Sequence, residues 1–265
     1  MGVELVKYEA KDGIATITLD DPPVNGYTYE MNRELDEAIL SARFDDDVDV
    51  IVLRGAGEKF FCAGANIKML ASVTPRFKYY FCLHANETLL RFEHTPKLVI
   101  AALNGHTVGG GLEIAMAADL RIARKGAGKV GLPEVTLGVL PGTGGTQRLS
   151  RMIGKSKAIE LMTTGRIMEF EEAKEMGIVN EVFESENVDD FMSKVYDYAK
   201  QFCRPHKASM AVGHIKRAVQ SGADLPLEQG LALERELQAK LFNSEDAKIG
   251  LGSYVKKQSP EFTGK

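Results

Sequence analysis

The 265-residue chain is 44% hydrophobic and 26% charged, proportions of an ordinary globular protein that exclude a disordered or collagen-like chain. Its length suits one large domain, or one domain with an appendage, around a sizeable core. Its net charge is −4 and its basic residues are not clustered, which argues against a nucleic-acid partner; no uncharged apolar run is long enough to span a bilayer, which argues against a membrane partner.

The N-terminal stretch MGVELVKYEAKDG lacks the apolar core of a secretory signal, and it is acidic where a transit peptide would be rich in arginine. Val6 stands where a myristoylation start needs Ser or Thr. The three cysteines, Cys62, Cys82 and Cys203, are odd in number and have no metal-type spacing. They predict reduced, buried thiols in a cytoplasmic protein without a metal centre. His94, His106, His206 and His214 likewise show no ligand pattern.

In chain order, Gly13–Asp20 alternates with Ala15, Ile17 and Leu19 on one side and predicts a strand. DDPPVNGY breaks it. Met31, Leu35, Ile39 and Ala42 form one stripe of a helix over Glu30–Phe44. The β-branched run Val48–Gly55 predicts a buried strand, and the β–α–β order points to an α/β fold. Two segments then rhyme, VIVLRGAGEKFFCAGANIKMLA and LVIAALNGHTVGGGLEIAMAA. Each is an apolar strand, a glycine turn, a knot of small residues and a helical pattern. Together they suggest a repeat of roughly 45 residues in a stacked, spiralling fold. Between them, Phe77, Tyr80, Phe81 and His84 recur at helical spacing and predict a core stripe. Leu120–Ala123 reads as a strand, KGAGK as a turn, and Val130–Gly154 as loop and then helix. From about Pro205 only helical patterns follow. The organisation expected is therefore a core over residues 1–204 and a helical C-terminal region over 205–265.

The stretch NGHTVGGGLE, Asn104–Glu113, holds four glycines and ends on a carboxylate. Asn104-Gly105 ends the strand predicted over Leu98–Leu103, and a helix is predicted over Leu112–Ala118. The first amides of a helix lack internal partners and carry the positive end of its dipole, so glycines there let an anion approach. A phosphate loop is a poor match, because Gly111-Leu112-Glu113 replaces the Gly-Lys-Ser/Thr ending and Ile114 replaces the third glycine of a dinucleotide fingerprint. PGTGGTQ fails the same comparison at Gln147. Glu113 would also repel a phosphate. A transient oxyanion beside an acid/base group fits better. Close helix–strand packing, with Glu113 merely favouring the helix dipole, fits the same letters. The second knot, FFCAGANIK, also offers amides at a helix start around Ala65, and an oxyanion hole needs two donors.

FCAGANIK, NGHTVGGGLEIAMAADLRIA, LPEVTLGVLPGTGGTQRL and SEDAKIGLGSYVKKQSPEFTGK together resemble the crotonase superfamily, most closely its enoyl-CoA hydratases, over nearly the whole chain. The resemblance implies an α/β spiral of ββα units with a helical C-terminal region used in trimerisation, giving a homotrimer or homohexamer. It implies an acyl-CoA thioester substrate, with coenzyme A entering as part of that substrate and no separate cofactor. The thioester oxygen would lie between the amides of Ala65 and Gly110, and Glu113 and Glu134 would transfer protons, Glu113 as water base and Glu134 as α-carbon acid. Ala63, Asn66, Ile67, Lys68, Leu137 and Gly142 would contact the substrate. Both glutamates favour hydration of a 2-enoyl-CoA. Double-bond isomerisation is the alternative, and a non-catalytic binding protein on the same fold is a third reading. Asn66 replaces the family's usual Asp. The Glu113–Glu134 interval is one residue longer than in typical hydratases, a difference assigned to the RKGAGK turn. VNGYTYEMN replaces an Asn-Ala-Leu start, a change expected to reshape the entrance for coenzyme A.

Overall fold

A computed structural model describes residues 4–265. Strand β2 (Ile14–Leu19) follows the predicted alternation, pairing antiparallel with β1 (Val6–Lys11) and parallel with β3 (Val50–Gly55). The sequence pattern did not reveal β1, because it is an edge strand whose residues beyond Val6 are half-buried or exposed. Between β2 and β3 lies α1 (Tyr29–Phe44), capped by Thr28, whose hydroxyl accepts from the Met31 amide at 3.3 Å. Glu34 on α1 accepts the Leu5 and Val6 amides at 2.6 and 2.9 Å, which ties the edge strand to the helix.

The rhyming segments are successive turns of a spiral. The first runs from β3 through β4 (Phe60–Cys62) to α2 (Ile67–Ser72) and α3 (Pro75–His94). The second runs from β5 (Leu98–Leu103) through β6 (His106–Val108) to α4 (Gly110–Met116). A third follows from β7 (Leu120–Arg124) through β8 (Lys129–Gly131) to a short 3-10 turn at Glu134–Leu137, then α5 (Gly145–Ile153) and α6 (Lys155–Thr164). Each turn adds one strand to each of two sheets. One sheet has the order β1-β2-β3-β5-β7-β10 and the other β4-β6-β8-β9, with β9 at Ile167–Glu169 and β10 at Glu181–Phe183 around α7 (Phe170–Glu175). The 20-residue α3 belongs to the first turn only, which is why the repeat is faint in the sequence.

Strand residues of the larger sheet alternate between two cores. Ala15, Ile17, Ile51, Leu53, Val99, Ala101 and Leu103 face α1, α3 and the smaller sheet. Ile14, Val50, Val52, Ile100, Ala102 and Ile122 face Phe191, Met192 and Val195 of α8 (Val188–Lys200). Burial on both faces explains why β3 and β5 read as continuous apolar runs. The aromatic stripe of α3 differs from expectation. Phe81 is buried together with Ala85, Leu89 and Phe92, whereas Tyr80 lies on the exposed side and Phe77 is partly exposed. The inward face continues from Phe81 at positions three and four apart.

Past β10 the described elements are helices: α8, α9 (Ser209–Gly222), α10 (Leu227–Phe242) and α11 (Glu245–Lys256). Helix α9 packs on α3 and β5, and a side chain at Gly213 would overlap the Pro96 carbonyl. Lys216 reaches inward from α9, donating to the Phe92 and Lys97 carbonyls at 2.6 and 3.0 Å and pairing with Asp119 at 2.8 Å.

Candidate active site

The two glycine knots come together where the first and second turns of the spiral touch. Tyr27 donates its amide to the Gly64 carbonyl and accepts the Asn66 amide, both at 3.0 Å, so Ala65 is the middle residue of a short parallel bridge. The amide of a middle residue points away from the strand its neighbours bond. Ala65 N–H therefore faces away from Tyr27, and it has no acceptor among the described residues. Sequence reasoning placed this amide at a helix start. It lies before one, since α2 begins at Ile67.

Gly110 supplies the second amide. It is the first residue of α4, whose cap Gly109 sits at φ +58, and a first-position amide has no partner within its own helix. Gly64, at φ +91, brings the knots into contact: a Cβ there would lie 3.0 Å from the Gly110 nitrogen. A side chain at Gly110 would overlap the Tyr27 ring, and one at Gly111 the Cys62 carbonyl. The glycines thus serve both readings the sequence left open, close packing and exposure of amides.

Ala65 and Gly110 both line one cavity of about 540 Å³, together with Glu113 and Glu134. Glu113 projects from the first turn of α4 and is 2% exposed. Its Oε1 accepts the Thr143 and Gly145 amides, each at 2.7 Å. Gly145 opens α5, so the carboxyl also sits at the positive end of a helix. The donating loop is braced by Arg148, which pairs in two-pronged fashion with Glu93 at 2.7 and 2.9 Å and donates to the Thr143 carbonyl at 3.3 Å. Burial pushes the Glu113 carboxyl above the usual range, and the two amides oppose that shift. They leave Oε2 as the oxygen available to a reacting proton.

Glu134 opens the 3-10 turn after Pro133 and is half-buried. Its Oε2 is buried without a hydrogen-bond partner, and its Oε1 lies 3.3 Å from where a Gly109 Cβ would be. Burial pushes its carboxyl up to about 7, with the Glu113 charge adding to the effect. The environments differ in kind: Glu113 is held by donors that favour its charged form, while Glu134 has no such support from another residue. Such a pair tends to hold one proton, and Glu134 is the better place for it.

Among the wall residues absent from the sequence reading, Tyr27, Thr143 and Lys78 bear on the carboxyls. Tyr27 is buried, with its hydroxyl 2.8 Å from Thr143 Oγ1, and its ring stacks on Phe81 at 5.6 Å. Burial and the Glu113 charge push its phenol well above the ordinary value, so it remains protonated. VNGYTYEMN stands out in the sequence, but nothing local places Tyr27 against the carboxyl loop. Thr143 and Lys78 also line the cavity, and only the three-dimensional path of the chain brings them there. Of the residues expected to contact substrate, Ala63, Ile67, Leu137 and Gly142 line it as well. Asn66 and Lys68 are outside this lining. The Asn66 side-chain oxygen Oδ1 caps α2 by accepting the Met69 amide at 3.1 Å, and Lys68 is exposed on that helix.

A family model described as enoyl-CoA hydratase/isomerase matches residues 9–265. The chain belongs to this family. A short-chain-enoyl-CoA hydratase of Clostridium acetobutylicum is 35% identical, with 98% of each chain covered. An (E)-benzylidenesuccinyl-CoA hydratase of Thauera aromatica is 36% identical over 98% of this chain and 99% of its own. Among solved structures, an enoyl-CoA hydratase from Geobacillus kaustophilus is 44% identical with a TM-score of 0.95, covering 100% of this chain and 98% of that one. The spiral of ββα turns is accordingly the crotonase fold of the hydratase/isomerase family, in agreement with the motifs FCAGANIK and NGHTVGGGLE.

Proposed function

We propose that this protein is an enoyl-CoA hydratase, adding water across the 2,3 double bond of an enoyl-CoA thioester. The observation that carries the reading is one cavity lined by two partnerless amides, Ala65 and Gly110, and two carboxyls of unlike environment, Glu113 and Glu134. The thioester oxygen accepts from the two amides. Glu113 takes a proton from water through Oε2 as the water oxygen bonds to the β-carbon. The π electrons move onto the thioester oxygen, where the amides stabilise the enolate charge. As the carbonyl re-forms, Glu134 delivers its proton to the α-carbon, giving a 3-hydroxyacyl-CoA. The pair's single proton has then moved from Glu134 to Glu113, and it must return before the next turnover.

Retention of both carboxyls at one cavity favours hydration over double-bond isomerisation, which needs only a proton shuttle between carbons, and over a non-catalytic role. The acyl group is not fixed by similarity, since relatives at 35% and 36% identity carry names for a short-chain and a benzylidenesuccinyl substrate. Coenzyme A enters with the substrate and no other cofactor is invoked. The reading extends to a homotrimer or homohexamer, supported by exposed apolar side chains on the C-terminal helices such as Val219, Leu227, Phe242 and Val255, with 205–265 as the assembling region. Among the described residues no helix is long and apolar enough to cross a membrane, in keeping with a cytoplasmic site of action.

The test is a panel of 2-enoyl-CoA and 3-enoyl-CoA thioesters, following loss or gain of conjugation in the ultraviolet. Loss of conjugation with 2-enoyl-CoAs, reduced at least about 100-fold in Glu113→Gln and in Glu134→Gln, is the expected result. Near-full activity in both variants would overturn the site assignment, and conversion of 3-enoyl to 2-enoyl-CoA without hydration would replace the reaction.

A further inference from the structure

The cavity wall contains one cation that the proposed reaction does not use. Lys78 lies near the start of α3, half-buried, with its ammonium 5.1 Å from the centre of the Phe81 ring. It takes part in no ion pair among the described residues. Its charge acts on both Glu113 and Glu134 but pairs directly with neither. Glu113 already has its partners in the Thr143 and Gly145 amides, and Glu134 Oε2 has none. Lys78 is therefore not spent as the counter-ion of either carboxyl.

Beyond the Phe81 ring under it, Lys78 shares the cavity lining with the apolar side chains of Leu70, Val73, Pro75 and Leu140 as well as with Thr74 and Thr136. An unpaired ammonium against such a wall is unfavourable in the empty site and becomes favourable when an anion joins it. A simple alkyl chain would bury that wall and leave the ammonium without a partner. An acyl chain of a few carbons ending in an anionic group satisfies both.

We propose that Lys78 forms a subsite for a carboxylate at the far end of the acyl group, so that the preferred substrate is the mono-CoA thioester of a short unsaturated dicarboxylic acid. The inference rests on the acyl-CoA reading of the cavity. It does not require that the reaction be hydration.

Binding of saturated, unreactive thioesters tests it apart from catalysis. Calorimetry compares glutaryl-CoA with its neutral terminal amide, glutaramoyl-CoA, in the parent protein and in Lys78→Met, Lys78→Arg and Lys78→Glu. The ratio of the two affinities within each protein cancels any general effect of the substitution on the site. The parent is expected to prefer the diacid by about 10–100-fold, the range of a charge-assisted hydrogen bond. Lys78→Met should bring the ratio to near one, Lys78→Arg should keep part of it, and Lys78→Glu should invert it. A ratio near one in the parent overturns the proposal. So does a ratio unchanged in Lys78→Met, and so does equal weakening of both thioesters and of free coenzyme A, which would assign Lys78 to the coenzyme A phosphates. If diacid preference is found but no enoyl-CoA is hydrated, the subsite stands and the hydratase reading falls.

Discussion

Replacing Glu134 by Gln removes a carboxyl whose titration is moved into the neutral range. The parent carboxyl rises from an ordinary 4.5 to about 7 in the folded protein, chiefly through burial. The folded state therefore binds this proton more tightly than the unfolded state does. The associated stability is fully present below the unfolded value near 4.5 and is lost as pH rises through about 7. At about 1.4 kcal/mol per unit the full shift corresponds to about 3 kcal/mol. Glu134 keeps some contact with solvent and is coupled to Glu113, which reduces the expected effect to about 2 kcal/mol. Gln resembles the protonated acid and does not titrate. Urea unfolding of parent and Glu134→Gln from pH 4 to 9 should give a stability difference that is flat below pH 4.5 and then shifts by about 2 kcal/mol in favour of the variant by pH 8–9. Glu113 titrates in both proteins and largely cancels. Parallel stability curves across that whole range would refute the argument that burial governs this carboxyl. If the parent hydrates enoyl-CoA as proposed, with Glu134 as the α-carbon acid, kcat/KM should fall as pH rises through the same interval as that acid loses its proton.

Arg148→Met leaves the half-buried Glu93 without its partner and removes the brace on the loop that holds Glu113. It should destabilise the fold by about 3 kcal/mol in urea unfolding and lower kcat more than it raises KM. Tyr27→Phe deletes the hydroxyl bond to Thr143, with an expected stability loss of about 1 kcal/mol and the stack on Phe81 kept, read by thermal unfolding. Gly110→Ala drives a methyl group into the Tyr27 ring. It should cost about 1–3 kcal/mol of stability and lower activity further than that loss explains, measured on the folded fraction.

Some of this architecture was written locally and some was not. Leu98–Leu103 was legible to the residue because both its faces are buried and an Asn-Gly turn closes it. The smaller sheet was invisible, because Phe60–Cys62, His106–Val108, Lys129–Gly131 and Ile167–Glu169 are each three residues long, too short to show a period. The α4 helix was expected from Leu112 and begins at Gly110, since its first turn is built of glycines that carry no apolar stripe. At the site, Glu113 and the glycine knots announced themselves by their odd composition. The partners of Glu113 lie 30 and 32 residues downstream, and Lys78 and Tyr27 reach the cavity from other turns of the spiral. Such pairings depend on how the sheets stack, and no local pattern records them.

The double duty of Tyr27 has a consequence for how this pocket can change. Its backbone orients the peptide plane carrying the Ala65 donor, while its ring leaves no room beside Gly110. One residue thereby fixes both members of the proposed anion cradle, Ala65 through its backbone and Gly110 through its ring. A substitution at position 27 could not enlarge the chamber here without shifting both amides, whereas Lys78 on α3 has no ion-pair partner among the described residues. Under the proposed function, a change of acyl preference would therefore be carried by Lys78 rather than by position 27, which is tied to both knots at once.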